Sequence, residues 1–282
     1  MSIFQTILTV TFVVLVFYGL VTYYSPVHHE GLSMNQVPLN IFQTWHDKNL
    51  PPKMQECVET LKKENPDFTH YLFDDAECET FLTTYFNNDV VDAYRTLIPG
   101  PYKADLWRYC SLYIHGGIYL DIKYKCVDGY QLKNLMYEEH FCKDIKYDKV
   151  IQGVYNACLI CKAGNKVLKQ CIDKVVENVQ RKFYGSTLWD ITGPTMMTQF
   201  LNEEQLKQLD ELVHVYDQED KKFYIKFKGE KVLQIYPEYR DELTIYRNVP
   251  HYDTLWSTRS VYKDQEGKKS PKPIESEPNR YM

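Results

Sequence analysis

The order of apolar and polar positions divides the chain of 282 residues into an apolar start, a long mixed region and a polar end. Residues 3–24 carry no charge and are rich in Val, Leu, Phe and Thr. A helix of that length can cross a hydrocarbon core of ~30 Å, so we predict a transmembrane anchor at residues 1–24. A polar stem at residues 25–37 follows it, and residues 263–282 have the composition of a disordered tail.

Strand-like and helix-like patterns alternate through the mixed region. Short apolar runs bounded by turn residues predict strands at 39–45, 69–75, 118–124, 150–164 and 232–239. Helical periodicity and breaker residues predict helices at 52–61, 76–86 (capped by Asp75), 102–115 and 165–183. Such alternation is typical of an α/β fold in which helices flank a mostly parallel sheet.

Polar residues interrupt the apolar pattern of the predicted helix 102–115. Its apolar stripe at helical spacing is Tyr102, Leu106, Tyr109 and Tyr113. Asp105 and Arg108 are three residues apart and therefore neighbours on another face. The pattern leaves two interpretations open, a surface ion pair and part of a ligand site.

The predicted strand 118–124 also has a polar face. Strand alternation places Tyr119, Asp121 and Lys123 on one side of it, behind the Gly116-Gly117 pair that ends the helix. Open α/β sheets bind their ligands at the carboxyl ends of strands. The sequence therefore favours a ligand site here, although an exposed edge strand would show the same alternation.

Composition narrows the class of protein. The formal net charge is −5, and no basic stripe interleaved with aromatic residues occurs, so we expect no nucleic-acid partner. Of the 8 Cys, Cys158 and Cys161 have the spacing of a zinc pair. They lie within a strand-like run where residues three apart face opposite sides, and no second pair follows, so a structural role is predicted.

The run "ADLWRYCSLYIHGGIYLD" closely resembles the DXD-containing sugar-binding region of glycosyltransferase family 32, which includes initiation α-1,6-mannosyltransferases and inositol-phosphoceramide mannosyltransferases. An opening segment 37–75, "NACLICKAG", "TGP" and "HYDTLWS" are similar to the family in the same order, so that the resemblance covers roughly residues 37–257. It implies a GT-A-like (Rossmann-like) domain at residues 38–262 that transfers a sugar from a nucleotide donor with retention of configuration.

The resemblance also implies roles for individual residues. Asp105 and Arg108 would hydrogen-bond the donor sugar, and Asp121, the first DXD carboxylate, would hold ribose or sugar and position a metal ion. The resemblance implies six further donor-binding residues. Thr44 and Trp45 would lie against the nucleotide base, Tyr119 and Gly193 would lie in the pocket, and His251 and Trp256 would close over the diphosphate.

Lys123 stands where the family has the second DXD carboxylate. A protonated lysine cannot ligate the Mn²⁺ or Mg²⁺ that usually stabilises the departing diphosphate. Three accounts stay open: Lys123 replaces the metal charge, a metal binds through Asp121, His251 and phosphate oxygens, or the site binds without catalysing transfer.

The leading prediction is a membrane-anchored, retaining hexosyltransferase. Its donor would be GDP-mannose, UDP-galactose or UDP-glucose, and its acceptor a glycan or glycolipid. Anchored through residues 3–24 as a single-pass type II protein, it would face the Golgi or ER lumen in a eukaryotic host. The alternative is a catalytically degenerate membrane protein that binds sugar-nucleotides or glycans.

Overall fold

The computed structural model describes residues 36–145, 153–246 and 249–263. The chain divides into two units at residues 34 and 35, and all described residues belong to the second unit. The predicted anchor, nearly all of the stem, and the tail beyond Lys263 lie outside the described residues and stay predictions. In the part of the chain that is described, no helix combines the length and the apolar character needed to cross a bilayer.

Nine strands form one sheet in the described residues. The strands are β1 (Asn40–Thr44), β2 (Thr69–Phe73), β3 (Gly117–Leu120), β4 (Tyr124–Cys126), β5 (His140–Lys143), β6 (Val154–Cys161), β7 (Leu212–Asp217), β8 (Lys222–Phe227) and β9 (Glu230–Ile235). The helices are α1 (Pro52–Glu64), α2 (Asp75–Tyr85), α3 (Asn88–Thr96), α4 (Gly100–His115), α5 (Lys166–Gln180), α6 (Pro194–Thr198), α7 (Glu203–Gln208), α8 (Tyr239–Tyr246) and α9 (Tyr252–Ser257). The α/β class is confirmed.

The prediction of a mostly parallel sheet is wrong, because the sheet is mixed. Its order is β2-β1-β3-β6-β5-β7-β8-β9-β4. β1 runs parallel to both β2 and β3, whereas β6 lies antiparallel to β3, and β7, β8 and β9 form an antiparallel meander. The β8–β9 hairpin turns on Lys228 and Gly229, both with positive φ, and so short a connection permits only antiparallel strands.

The predicted strand 118–124 is broken by a turn. β3 ends at Leu120, and the Tyr124 N–H donates to the Asp121 carbonyl at 3.1 Å, closing a turn before β4.

A second correction concerns the cap of α2, which is Asp74 and not Asp75. The Asp74 side chain accepts from the Glu77 N–H at 2.8 Å, and Glu77 accepts from the Asp74 N–H at 3.0 Å.

The turn between β3 and β4 forces the sheet to curl. β3 is the third strand in the order and β4 is the ninth, yet only residues 121–123 join them. Three linking residues span roughly 14 Å at most. The far edge of the sheet must therefore come back to the end of β3, where the Tyr236 N–H at the end of β9 donates to the Lys123 carbonyl at 3.1 Å. The polar residues 121–123 lie at this closure.

The core beneath α4 is aromatic. Trp107 is fully buried, and its ring contacts those of Phe42, Phe73 and Tyr119 with centroids 4.9–6.3 Å apart. The predicted apolar stripe is buried at Tyr102, Leu106 and Tyr109, whereas Tyr113 is only half-buried. Truncating a buried tryptophan costs about 3–5 kcal/mol of stability, so this cluster fixes α4, and with it Asp105 and Arg108, against the sheet.

A distant carboxylate caps α1. Glu242 in α8 is buried, and its two oxygens accept the backbone N–H groups of Lys53 and Met54 at 2.7 and 2.9 Å. A negative group is favourable at a helix N-terminus because it meets unsatisfied donors and the positive end of the helix dipole. The contact ties α8 to the sheet. All eight cysteines lie in the described residues, where they are buried and form no disulfide.

Candidate functional site

A cavity of about 520 Å³ opens at the carboxyl ends of β1 and β3, within the size range of small-molecule sites. Because these strands are parallel neighbours, the residues that follow them meet at one edge, as the sequence predicted. Eight of the ten predicted site residues line the cavity: Thr44, Trp45, Asp105, Arg108, Tyr119, Asp121, Lys123 and His251.

Four charged side chains form an alternating series in the cavity wall. The Arg108 Nη2 lies 3.3 Å from Asp105 Oδ1 and 3.3 Å from Asp121 Oδ1, and Lys123 Nζ lies 2.7 Å from Asp121 Oδ2. The Arg108 and Asp105 side chains are only 5% and 10% exposed. A surface ion pair is therefore excluded, and the two anions and two cations balance one another.

Arg108 is the centre of this series, and each of its three side-chain nitrogens has a partner. Nη1 donates to the Asn156 carbonyl at 2.6 Å, and Nε donates to the Ala104 carbonyl at 3.2 Å. The guanidinium lies over the Tyr119 ring, 4.2 Å from the centroid. Arg108 thus bridges the two carboxylates, and the direct sugar contact implied by the resemblance stays a prediction.

Asp105 is fixed by two residues that the sequence analysis did not identify. Asn156 Nδ2 and Thr192 Oγ1 donate to its two oxygens at 2.9 and 2.7 Å. The signals were present, because Asn156 is a polar residue inside an apolar strand and Thr192 begins the "TGP" segment. Burial, only partly offset by Arg108, raises the pKa of Asp105 to about 6.

Asp121 is the carboxylate that a ligand can reach, since its side chain is 24% exposed. The Tyr119 hydroxyl donates to its Oδ1 at 3.2 Å. Burial opposes ionisation, but the attraction of Lys123 and then of Arg108 outweighs it and holds the pKa of Asp121 below its usual value. The two carboxylates of the series therefore differ: Asp121 stays ionised where Asp105 begins to bind a proton.

Lys123 lies among three tyrosine rings. Its Nζ is 5.5 Å from the centroids of Tyr124 and Tyr155 and 5.9 Å from that of Tyr239. Burial lowers the pKa of the ammonium, but Asp121 and the tyrosines raise it well above the ordinary value. Lys123 is therefore a protonated cation, held by its carboxylate and by the negative faces of the rings.

The side chains that surround Asp121 do not suit the binding of a divalent metal ion. Lys123 contacts Oδ2, and Arg108 and Tyr119 contact Oδ1, so a metal ion on Asp121 would lie beside two cations that repel it. Within the described ranges, one group of three His or acidic side chains has ligand atoms within 4.8 Å of one another, Glu138, His140 and Glu211. None of the three lines the cavity.

The remaining predicted residues have varied surroundings. Thr44 Oγ1 donates to the Phe73 carbonyl at 2.9 Å, whereas the buried Trp45 indole N–H has no hydrogen-bond partner among the described residues. Exposed His251 accepts from the Asp253 N–H at 3.3 Å and begins α9. Trp256 lies outside the cavity lining and donates to the Tyr184 carbonyl at 2.8 Å.

Gly193 does not line the cavity wall, but it supports it from behind. A Cβ added at Gly193 would stand 3.6 Å from Asp105 Oδ2 and 3.3 Å from the Trp189 carbonyl. The turn that carries Thr192 thus packs against Asp105 at ordinary contact distance and is tightest at the Trp189 carbonyl.

The raised pKa of Asp105 predicts a pH-dependent stability. Between about pH 4 and 6 the folded state keeps a proton that the unfolded chain releases, so the contribution of Asp105 to stability falls as pH rises through that window. We expect wild type to lose about 2–3 kcal/mol of unfolding free energy relative to Asp105→Asn between these limits. Urea unfolding of both proteins at half-unit pH steps measures this, and a constant difference would contradict it.

Comparison with known proteins finds similarity to glycosyltransferases in the segment that contains the charged series. Residues 51–142 match the family described as "Glycosyltransferase sugar-binding region containing DXD motif". The chain is 35% identical over 91 residues to the initiation-specific α-1,6-mannosyltransferase of Candida albicans, a match that covers 30% of this chain and 24% of that protein. It is 29% identical over 98 residues to inositol phosphoceramide mannosyltransferase 1 of Schizosaccharomyces pombe, covering 33% and 30%.

The chain thus spans about a quarter to a third of the length of these relatives. Among solved structures, PaToxG glycosyltransferase aligns with a TM-score of 0.45 and 16% identity, covering 62% of this chain and 74% of that one. The segment 51–142 contains Asp105, Arg108, Asp121 and Lys123, the four members of the charged series. In this segment the chain is similar to glycosyltransferases whose sugar-binding region contains a DXD motif, and the corresponding run here is Asp121-Ile122-Lys123.

Proposed function

We propose that this protein is a retaining hexosyltransferase of GT-A-like fold that takes a nucleotide-sugar donor. The observation that carries the proposal is the convergence of Asp105, Arg108 and Asp121 on one buried network in the wall of a 520 Å³ cavity. All three lie in the segment matched by the family. GDP-mannose, UDP-galactose and UDP-glucose are the donors we consider, with a glycan or glycolipid as the acceptor.

The geometry supports a division of labour at the donor. Asp121 has the most exposed side chain of the series and would accept hydrogen bonds from donor hydroxyls. Arg108 keeps that carboxylate in place, and Asp105 in turn balances Arg108. The Trp45 indole N–H, which has no partner in the described part of the chain, offers a donor at the β1 end of the cavity, where the base would bind.

Lys123 would supply the positive charge that the leaving diphosphate requires. A fixed cation aimed at developing negative charge stabilises a transition state, because it does not need to reorganise as the charge forms. Lys123 is 14% exposed in the cavity wall and protonated, so it can interact with a phosphate while it remains near Asp121. The acceptor hydroxyl would attack C1 on the face from which the diphosphate departs and pass its proton to that phosphate.

One alternative has an observation in its favour. The Lys123–Asp121 pair closes the position where a DXD metal would bind, and a degenerate protein that binds sugar-nucleotides or glycans without transfer would show the same loss. The two functions differ in turnover, since only the enzyme cleaves the bond between sugar and diphosphate.

The test is a panel of the three donors on the full chain, with thermal melting and donor hydrolysis measured in parallel. We expect one donor at 100-fold its dissociation constant to stabilise the protein by about 2.7 kcal/mol and to be hydrolysed slowly. Stabilisation without hydrolysis would favour the degenerate binding protein. No stabilisation by any of the three would overturn the proposed donor class, and a mixture of ATP and NAD serves as the control for non-specific nucleotide binding.

A further inference from the structure

The cavity lining also contains a histidine that the proposed donor site does not use. His214 in β7 is 6% exposed and lines the cavity. Its Nδ1 lies 3.0 Å from Asp144 Oδ1, just beyond β5. Its Nε2 is buried and has no hydrogen-bond partner among the described residues. Leaving a buried polar atom unpaired costs about 1–3 kcal/mol, so this atom is suited to a ligand group.

The contact with Asp144 determines what that group must be. A carboxylate only accepts hydrogen bonds, so in the neutral ring the proton resides on Nδ1 and Nε2 presents its lone pair. In this tautomer the unpaired atom is a hydrogen-bond acceptor, and its partner is a donor such as a hydroxyl group. A diphosphate, which offers only acceptor oxygens, does not satisfy Nε2 in this tautomer.

Aromatic rings hold the imidazole in this orientation. The Tyr155 ring stacks on the imidazole, with ring centroids 3.8 Å apart and planes at 12° to each other. The Phe223 ring is also stacked, with centroids 5.4 Å apart and planes at 24°. The same Tyr155 ring has Lys123 Nζ 5.5 Å from its centroid. Tyr155 thus lies between Lys123, the cation proposed to stabilise the leaving diphosphate, and the imidazole of His214. His214 is therefore next to the proposed donor site.

We propose that His214, held by Asp144, Tyr155 and Phe223, forms the acceptor subsite and takes a hydrogen bond from a hydroxyl of a polyol acceptor, a sugar ring presented edge-on to Nε2. The inference rests on the proposed function and adds a residue that would bind its second substrate. His214 is a positioning residue, since the attacking hydroxyl still transfers its proton to the departing phosphate. Sequence patterns did not indicate it, because Asp144 and His214 are 70 residues apart.

The kinetic test compares His214→Phe with wild type, using methyl α-D-mannopyranoside, methyl β-D-galactopyranoside and methyl β-D-glucopyranoside as acceptors. Phenylalanine keeps the ring stack and removes Nε2. We expect the KM for the accepted glycoside to rise about tenfold, the size of one lost hydrogen bond, while the KM for donor and the rate of donor hydrolysis stay unchanged. Asp144→Asn should raise the same acceptor KM by a smaller factor.

His140→Phe is the matched control, because His140 is a buried histidine of the neighbouring strand β5 that lies outside the cavity lining. Its acceptor KM should equal that of wild type. Equal acceptor KM values in His214→Phe and wild type would overturn the subsite. So would a wild-type protein that hydrolyses donor but transfers to none of the three glycosides, and in that case the proposed function would still stand.

A second readout needs no turnover. In the full chain labelled with ¹⁵N-histidine, titration with methyl α-D-mannopyranoside should shift the Nε2 resonance of one histidine, and His214→Phe should lack that resonance. The absence of any shift for all three glycosides at saturating concentration would refute the subsite. If no donor is turned over, the proposed function fails, and this titration still decides whether His214 binds a polyol.

Discussion

Replacing Asp121 by Asn is expected to lower donor turnover by about 10²–10³-fold, the loss typical of removing one preorganised electrostatic contact at a reacting centre. The carboxylate is held ionised by Lys123 and Arg108 and is the accessible anion of the series. Asparagine keeps the shape and one acceptor oxygen, but it cannot balance two buried cations. The measurement is the initial rate of donor hydrolysis for wild type and variant at saturating donor.

Asp128→Asn is the control for that experiment. Asp128 is exposed on the turn after β4 with φ of 47°, a backbone conformation that asparagine also adopts readily. Its turnover should match wild type within about twofold. Melting curves of both variants show whether a lost rate reflects unfolding. An Asp121→Asn protein that is folded and as fast as wild type would remove Asp121, and with it the proposed donor site, from the function.

The second large effect is expected at Lys123 and depends on metal. Wild-type turnover should be insensitive to EDTA, because the ammonium already stands beside Asp121 and supplies the charge. Lys123→Asp should lose about 10²–10³-fold of its turnover in EDTA. Added Mn²⁺ should restore part of it, since two carboxylates at positions 121 and 123 recreate an oxygen-rich ligand pair for a hard cation. The measurement is donor hydrolysis against free Mn²⁺ concentration.

Lys125→Asp carries the same change of charge two residues further on. Lys125 lies in β4, is half-buried and does not line the cavity, so its turnover should resemble wild type with and without Mn²⁺. Abolition of wild-type turnover by EDTA would refute replacement of metal by Lys123. The same result would favour an ion held by other groups of the cavity.

Local patterns predicted most of the first half of the fold. The run 39–45, the helix 52–61 and the run 69–75 correspond to β1, α1 and β2, because their signals are short-range: apolar alternation, a proline at a helix start and turn residues. The meander of β7, β8 and β9 was largely missed. Charged residues interrupt the apolar pattern of β8 and β9, and the hairpin between them depends on Lys228 in a left-handed conformation, which is uncommon for lysine.

The sequence by itself determined the α/β class, the buried stripe of α4 and the pair of segments that carry Asp105, Arg108, Asp121 and Lys123. It could do so because helix and strand periodicity places residues three apart on one helix face and residues two apart on one strand face. In the structure Asp121 and Lys123 do meet, but through a turn rather than through strand alternation.

The tertiary structure alone decided which charges pair and what else enters the cavity. Asn156 and Thr192 reach Asp105 from 51 and 87 residues away, and Asp144 reaches His214 from 70 residues away. Strand order brings these elements together, because it places β6 beside β3 and β5 beside β7, and no local pattern encodes it. Burial raises the pKa of Asp105 to about 6 while neighbouring cations keep Asp121 ionised.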